Sequence, residues 1–199
     1  MFSLDDRFIF YSKLDENHRP KKIFRHEIGK SIEEDLLIFE ERTPAFTVSI
    51  AISADEKYYF INSSDHNTSE KYYFKSNESL PKPKIVRKRE KGIIYSVSSW
   101  GGYFYIHTNK GAEDFKIERS RDIEASKWEV FIPAKNETMI GGLTFLKNWI
   151  IRSELNNALD KIFVRDINSN KEEELIFTDE EVYDGSISHT QKDRNTDLI

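Results

Sequence analysis

Residues 63–74, SSDHNTSEKYYF, follow the apolar run Tyr58, Tyr59, Phe60, Ile61 and themselves end in Lys71, Tyr72, Tyr73, Phe74. A turn rich in Asp, Asn, Ser and Thr between two aromatic, strand-favouring runs predicts a β-hairpin. Upstream, residues 47–53 alternate apolar and small side chains, and downstream Ile85 and Val86 form a short apolar pair among cations, which gives this stretch four strands.

The same pattern is written along the whole chain. Before it lie a strand from Phe8, the turn cluster DENHRP at 15–20, a strand over 22–27 and a third over 35–41 with Leu36, Leu37, Ile38 and Phe39. After it, a third copy runs through 93–99, 103–107, Phe115 with Ile117, and 128–132, and a fourth through 142–146, 149–152, 161–164 and 175–177. A fifth opens at 183–188. Corresponding positions Phe10, Phe60, Tyr105 and Ile151 stand 50, 45 and 46 residues apart.

A period of this size with about four strands per unit predicts an all-β chain, a partial β-propeller of about four four-stranded antiparallel blades. The blades are expected at 1–41, 47–90, 93–134 and 139–179, with a further one beginning at 182–199. A twisted four-stranded sheet with two apolar faces buries neither alone, so neighbouring blades must cover one another. An antiparallel sandwich shows the same alternation but gives no reason for the four-strand superperiod. The incomplete first and last copies are expected to leave apolar faces open, with Leu37, Phe39, Phe177 and Ile187 on them.

Composition narrows the function classes. Hydrophobic residues make up 38% and aromatic residues 13%, with 14 Phe and 9 Tyr, which favours strands and a modest core. A net charge of −5 with 33% charged residues describes interspersed signs, so no nucleic-acid partner is expected. Cysteine is absent, which rules out a disulfide framework, a thiolate metal site and a cysteine nucleophile within these residues. No run approaches the ~18 apolar residues of a membrane helix and no leader is legible, so no membrane association and a cytoplasmic location are expected.

No catalytic, cofactor-binding or metal residue is legible in the sequence. His18, His26, His66, His107 and His189 form no pair at ligand spacing. Gly101-Gly102 and Gly141-Gly142 read as blade turns, and no glycine loop of the phosphate-binding kind occurs. The nearest approaches to a serine nucleophile, Ser99 before Gly101 and Ser186 after Gly185, lack the G-x-S-x-G elbow. The basic run 82–92, KPKIVRKREKG, reads as a solvated outer strand. The acidic clusters Glu33, Glu34, Asp35 and Glu172, Glu173, Glu174 read as loop charges before outer strands.

Four strings carry a resemblance: FYSKLDENHRPKKIFRHEIG at 10–29, EDLLIFEERTPAF at 34–46, SSDHNTSE at 63–70 and FYIHTNKGAEDFKI at 104–117. In this order they resemble the propeller of the prolyl oligopeptidase family of serine peptidases, most closely its oligopeptidase B (protease II) branch. The resemblance implies a seven-bladed parent ring beside an α/β-hydrolase domain with a Ser-Asp-His triad, a gating role for the ring, and cleavage of short peptides after Lys or Arg. No triad residue falls within this chain, so none transfers and the chain alone is expected to be inactive. Its expected partners are the hydrolase domain and the remaining blades, with short basic peptides as substrates of the whole enzyme and no cofactor. The other reading is a stand-alone propeller-like module that binds a peptide or protein with the loops of one face.

Overall fold

The computed structural model describes residues 1–176 and Ile187. The described residues form antiparallel sheets in which chain order and spatial order coincide. The first contains β1 (Phe8–Leu14), β2 (Pro20–Glu27) and β3 (Leu36–Glu40). The second is β4 (Thr47–Ile52), β5 (Tyr58–Ser64), β6 (Ser69–Lys75) and β7 (Lys84–Arg87). The third is β8 (Tyr95–Trp100), β9 (Tyr103–Thr108), β10 (Lys116–Ser120) and β11 (Glu129–Ile132). The fourth is β12 (Thr138–Phe145), β13 (Trp149–Asn156), β14 (Leu159–Asp166) and β15 (Glu172–Leu175). This is the all-β, partial-propeller architecture that the repeat predicts.

The opening hairpin forms as its composition demands. β5 and β6 pair from Tyr58↔Lys75 to Ser64↔Ser69. Asp65 closes the turn: its Oδ1 accepts the backbone N–H groups of Asn67 at 3.0 Å and Thr68 at 2.8 Å, an Asx turn. The first sheet has three strands, but residues 1–3 lie along the free edge of β1. Phe2 bridges Ile9, the Phe10 N–H donates to the Met1 carbonyl at 2.8 Å, and the Ser3 N–H donates to Phe8 at 2.9 Å.

The chain divides into two compact units: residues Met1–Ile106 with Arg119–Trp128, and His107–Glu118 with the residues from Glu129 onward. In the first unit, Phe10, Ile23, Ile38, Val48, Tyr59, Ile61 and Phe74 make one core, with the Phe10 and Tyr59 rings 4.7 Å apart. Phe60, Tyr73, Phe104 and Ile123 make another. β5 therefore buries both its faces, Tyr59 and Ile61 on one side and Phe60 on the other, which is why its run is apolar without interruption. At roughly 1.5–3 kcal/mol per buried large side chain, this central strand is the main anchor of the unit. In the second unit Ile151, Ile162 and Val164 form a core with half-buried Leu146, Trp149, Leu175 and Ile187 packed on it.

Four expectations need correction. Phe39 is not on an open face: it packs on the first core with its ring 4.6 Å from Tyr72, whereas Leu37 is exposed and Phe177 lies outside the described residues. Gly101 and Gly102 do form a turn, with φ of 59° and 77°, but Gly141 and Gly142 lie inside β12, at a register shift between Ile140 and Leu143. A Cβ on Gly141 would stand 2.2 Å from Ser153 Oγ, so this glycine serves close approach of strands rather than a turn. Of the first acidic cluster, Glu33 and Glu34 lie in a 3-10 turn, Ile32–Glu34, capped by Ser31, while the Asp35 side chain is buried against His26. Of the second, Glu172 opens β15 and is the acceptor of a buried ion-pair network.

Candidate functional site: the polar end of the first unit

Among the described residues no three His, Asp or Glu side chains are placed to hold a metal ion. His18 sits in a turn with φ of 58°. His26 Nδ1 is 2.7 Å from Asp35 Oδ1, and the Tyr11 hydroxyl donates to Asp35 Oδ2 at 2.7 Å. Burial would raise the Asp35 carboxyl, but these two hydrogen bonds outweigh it and the pKa is lowered. His107 donates from Nε2 to the Ile140 carbonyl at 2.6 Å and stacks on Phe115 with centroids 4.5 Å apart; burial lowers its pKa against the pull of that bond. Ser99 is buried and its hydroxyl donates to Asp55 Oδ2 at 2.8 Å, which leaves it no access to a substrate. His189 and Ser186 lie outside the described residues.

Polar chemistry does concentrate at one end of the first unit, where the β1–β2 turn, the β3–β4 connection, the β5–β6 turn and the segment after β7 meet. These loops come from three of the strings that carry the family resemblance, plus the basic run. Arg89 is the centre. Its Nη2 lies 2.6 Å from Glu41 Oε2 and 2.7 Å from Glu70 Oε2, its Nε donates to Glu70 at 3.1 Å, and its backbone N–H donates to Glu70 Oε1 at 2.9 Å. The guanidinium also lies 4.1 Å from the Phe46 ring centroid.

Glu41 and Glu70 are buried carboxylates, at 6% and 5% exposure. Burial would raise the Glu41 pKa, yet hydrogen bonds from Ser63 Oγ, the Thr43 N–H and Arg89 hold it down to about 2. Glu70 is lowered for the same reasons, with the Tyr72 hydroxyl as a further donor. Arg89 is correspondingly raised. The basic run is thus not uniformly solvated: one of its cations joins the end of β3 to β6.

A second cation fixes the β3–β4 connection. Lys21 is buried, and its ammonium donates to the carbonyls of Thr43 at 2.6 Å, Pro44 at 2.9 Å and Phe46. With its three donors occupied, Lys21 holds a rigid turn in which the Phe46 N–H donates to the Thr43 carbonyl at 3.2 Å. Beside this turn opens a cleft of about 590 Å³ lined by Arg19, Ala45, Thr47, Ser64, Asp65, His66 and Asn67. No residue pattern in the sequence marks it, because its lining comes from three separate turns and each turn alone reads as a solvated loop.

The second unit has its own buried network. Arg152 Nη2 lies 2.9 Å from Glu154 Oε1, with the side chains 3% and 2% exposed. Arg152 also reaches Glu172 at 2.8 Å, Lys135 reaches Glu154 at 2.7 Å, and Arg165 reaches Glu172 at 2.9 Å.

Consecutive antiparallel sheets, one of three strands and three of four, make up a propeller segment. This chain belongs to the family described as prolyl oligopeptidase, N-terminal β-propeller domain, whose sequence pattern matches residues 3–199. It is 38% identical over 112 residues to Protease 2 of Moraxella lacunata, covering 56% of this chain and 16% of that protein. It is 25% identical over 192 residues to dipeptidyl aminopeptidase BI of Pseudoxanthomonas mexicana, covering 94% of this chain and 26% of that one. Among solved structures it is similar to oligopeptidase B of Trypanosoma brucei, with antipain covalently bound in a closed form: TM-score 0.81, 26% identity, 88% of this chain and 26% of that chain. The chain thus spans about a quarter or less of the length of these relatives.

Proposed function

We propose that this chain is the substrate-gating propeller segment of a serine-type endopeptidase of the oligopeptidase B (protease II) kind, which cleaves short peptides after Lys or Arg. The observation that carries the reading is the 38% identity to Protease 2, together with the family match over residues 3–199. Catalysis in the whole enzyme falls to an α/β-hydrolase domain with a Ser-Asp-His triad, and the blades proposed at 1–41, 47–90, 93–134 and 139–179, with a further one from 182, combine with remaining blades into the ring. The ring's role is exclusion: stiff sheets beside the active-site cavity admit flexible peptides and turn away folded proteins. The reading places the enzyme in the cytoplasm, away from membranes and nucleic acid, and needs no cofactor.

The test is turnover of a dibasic fluorogenic peptide. The 199-residue chain alone is expected to give none above background, whereas a fusion of this propeller segment with the remaining blades and hydrolase domain of a Protease 2 relative is expected to cleave after Lys or Arg. Turnover by the rigorously purified chain, blocked by a serine-directed inhibitor, overturns the non-catalytic assignment. A second reading, a stand-alone peptide- or protein-binding module, draws on one observation, the loop-lined cleft beside Lys21. Tight partner binding by the chain with no gain from added hydrolase domain would favour it.

A further inference from the structure

The cleft between the β1–β2 turn, the β3–β4 connection and the β5–β6 turn has an uneven inventory of hydrogen-bonding groups. Buried Lys21 and half-buried Arg89, the nearby cations, have carbonyl and carboxylate partners already. Arg19 does not: one nitrogen, Nη1, donates to the Pro44 carbonyl at 3.1 Å, and that bond aims the guanidinium at the cleft wall while leaving Nε and Nη2 open. His66 is exposed and makes no hydrogen bond or ion pair among the described residues. Asn67 accepts at Oδ1 from the Thr68 hydroxyl at 3.0 Å, so both protons of its amide nitrogen are free.

Against these donors stands one carboxylate, beside the hydroxyls of Thr47 and Ser64. Asp65 uses Oδ1 to close its own turn, and its Oδ2 has no partner among the described residues. A lining of guanidinium, imidazole and amide donors with a single open carboxylate oxygen suits a ligand that carries an anionic fork and an N–H next to it. A peptide C-terminus has both: the carboxylate for Arg19, His66 and Asn67, and the adjacent backbone N–H for Asp65. A volume of about 590 Å³ lies in the usual range for small-ligand sites, ~300–1,000 Å³, and takes a few residues rather than a folded chain.

We propose that this cleft binds short peptides by their C-terminal carboxylate. The inference stands apart from the peptidase reading, because its measurement is equilibrium binding to the 199-residue chain and contains no turnover. N-acetyl-trialanine as the free acid is titrated against the chain by NMR or calorimetry, beside the same peptide as its amide. The acid is expected to bind and the amide to bind at least tenfold more weakly. Arg19→Gln and His66→Gln are each expected to weaken the acid by about tenfold, and Asp65→Asn by less. Circular dichroism of each variant checks that the fold is retained, and Lys88→Ala serves as a control that leaves binding unchanged. Equal binding of acid and amide, no binding of either, or undiminished binding in folded Arg19→Gln and His66→Gln variants would overturn the proposal.

Discussion

Replacing Arg89 with alanine is expected to be among the most damaging single changes in the first unit, although it removes a residue from a run of surface cations. The substitution deletes three side-chain hydrogen bonds at 2.6, 2.7 and 3.1 Å and leaves the buried carboxylates of Glu41 and Glu70 facing one another without their shared cation. Breaking a buried ion pair from one side costs ~3–5 kcal/mol, because a charge remains desolvated. With a urea m-value of about 2 kcal/mol per molar, the midpoint should fall by about 1.5–2.5 M. The pH profile should change as well. The folded pKa of Glu41, about 2, lies below its ordinary 4.5, so its contribution is fully present above about 4.5 and is lost as pH falls from there toward 2. In Arg89→Ala that acid limb should flatten in part, since Ser63 and the Thr43 N–H still hold the carboxylate ionised but the Arg89 hydrogen bond that adds to them is gone. Urea melts at pH 7 and pH 4 for parent and variant test both statements. A midpoint shift under 0.3 M together with an unchanged acid limb would refute the view that Arg89 joins two buried carboxylates.

Three further outcomes are expected. Gly141→Ala should destabilise by more than about 2 kcal/mol, because the added methyl meets Ser153 Oγ at 2.2 Å and its carbonyl at 2.7 Å, while Gly142→Ala, with no atom within 4 Å, should stay within about 0.5 kcal/mol; equal thermal shifts would show that β12 relaxes freely. Phe60→Ala should cost ~3–5 kcal/mol, half-buried Trp149→Ala less, and Lys88→Ala almost nothing, an order that denaturant midpoints can confirm or reverse. Burial pushes the Lys71 amine down to about 8 from 10.5, so the folded state binds fewer protons than the unfolded one between those values and stability should rise with pH from 8 to 10; Lys71→Met should abolish that rise, and a Lys71 titration near 10.5 by NMR would contradict it. Above pH 10 the tyrosines act in the opposite sense, since burial holds Tyr72 and Tyr95 up to about 12.

The sheets were legible because their signal is redundant. Phe10, Phe60, Tyr105 and Ile151 are all buried, and the last three lie on β5, β9 and β13, strands with a neighbouring strand on either edge, where apolar residues are demanded on both faces. Outer strands were harder: β15 reads Glu-Glu-Glu-Leu, and nothing in that string separates a loop charge from Glu172, whose partners Arg152 and Arg165 are supplied from β13 and β14. The polar end of the first unit was invisible for the same reason. Glu70 stands in a turn-like string and Arg89 in a basic run, and their pairing exists only once β6 and the segment after β7 are side by side. Period-2 counting could have raised a flag, since Glu70 shares its strand face with Tyr72 and Phe74, both of which pack on the first core.

That limitation follows from what each kind of interaction specifies. In a repeat whose sheets present similar faces of Ile, Val, Phe and Tyr, burial rewards contact with any such face, and it is close to indifferent to which sheet supplies it. A buried ion pair is not indifferent. Glu41 without Arg89, or Glu154 without Arg152 and Lys135, would hold a desolvated charge at a cost of several kcal/mol, so a mispaired sheet loses far more than it would through imperfect packing. Whether such pairs add net stability over well-packed apolar side chains is a separate matter, and buried pairs often do not. Their effect here is discrimination, the penalty placed on wrong neighbours: the apolar period brings sheets together, and Glu41–Arg89–Glu70 in one unit and Arg152–Glu154–Glu172 in the other fix which strands and loops meet. The cleft beside Lys21 inherits that order, since its three turns are held in place by Lys21, Arg19 and Arg89, and of these cations it is Arg19 that lies in the cleft lining with donors free to meet a ligand.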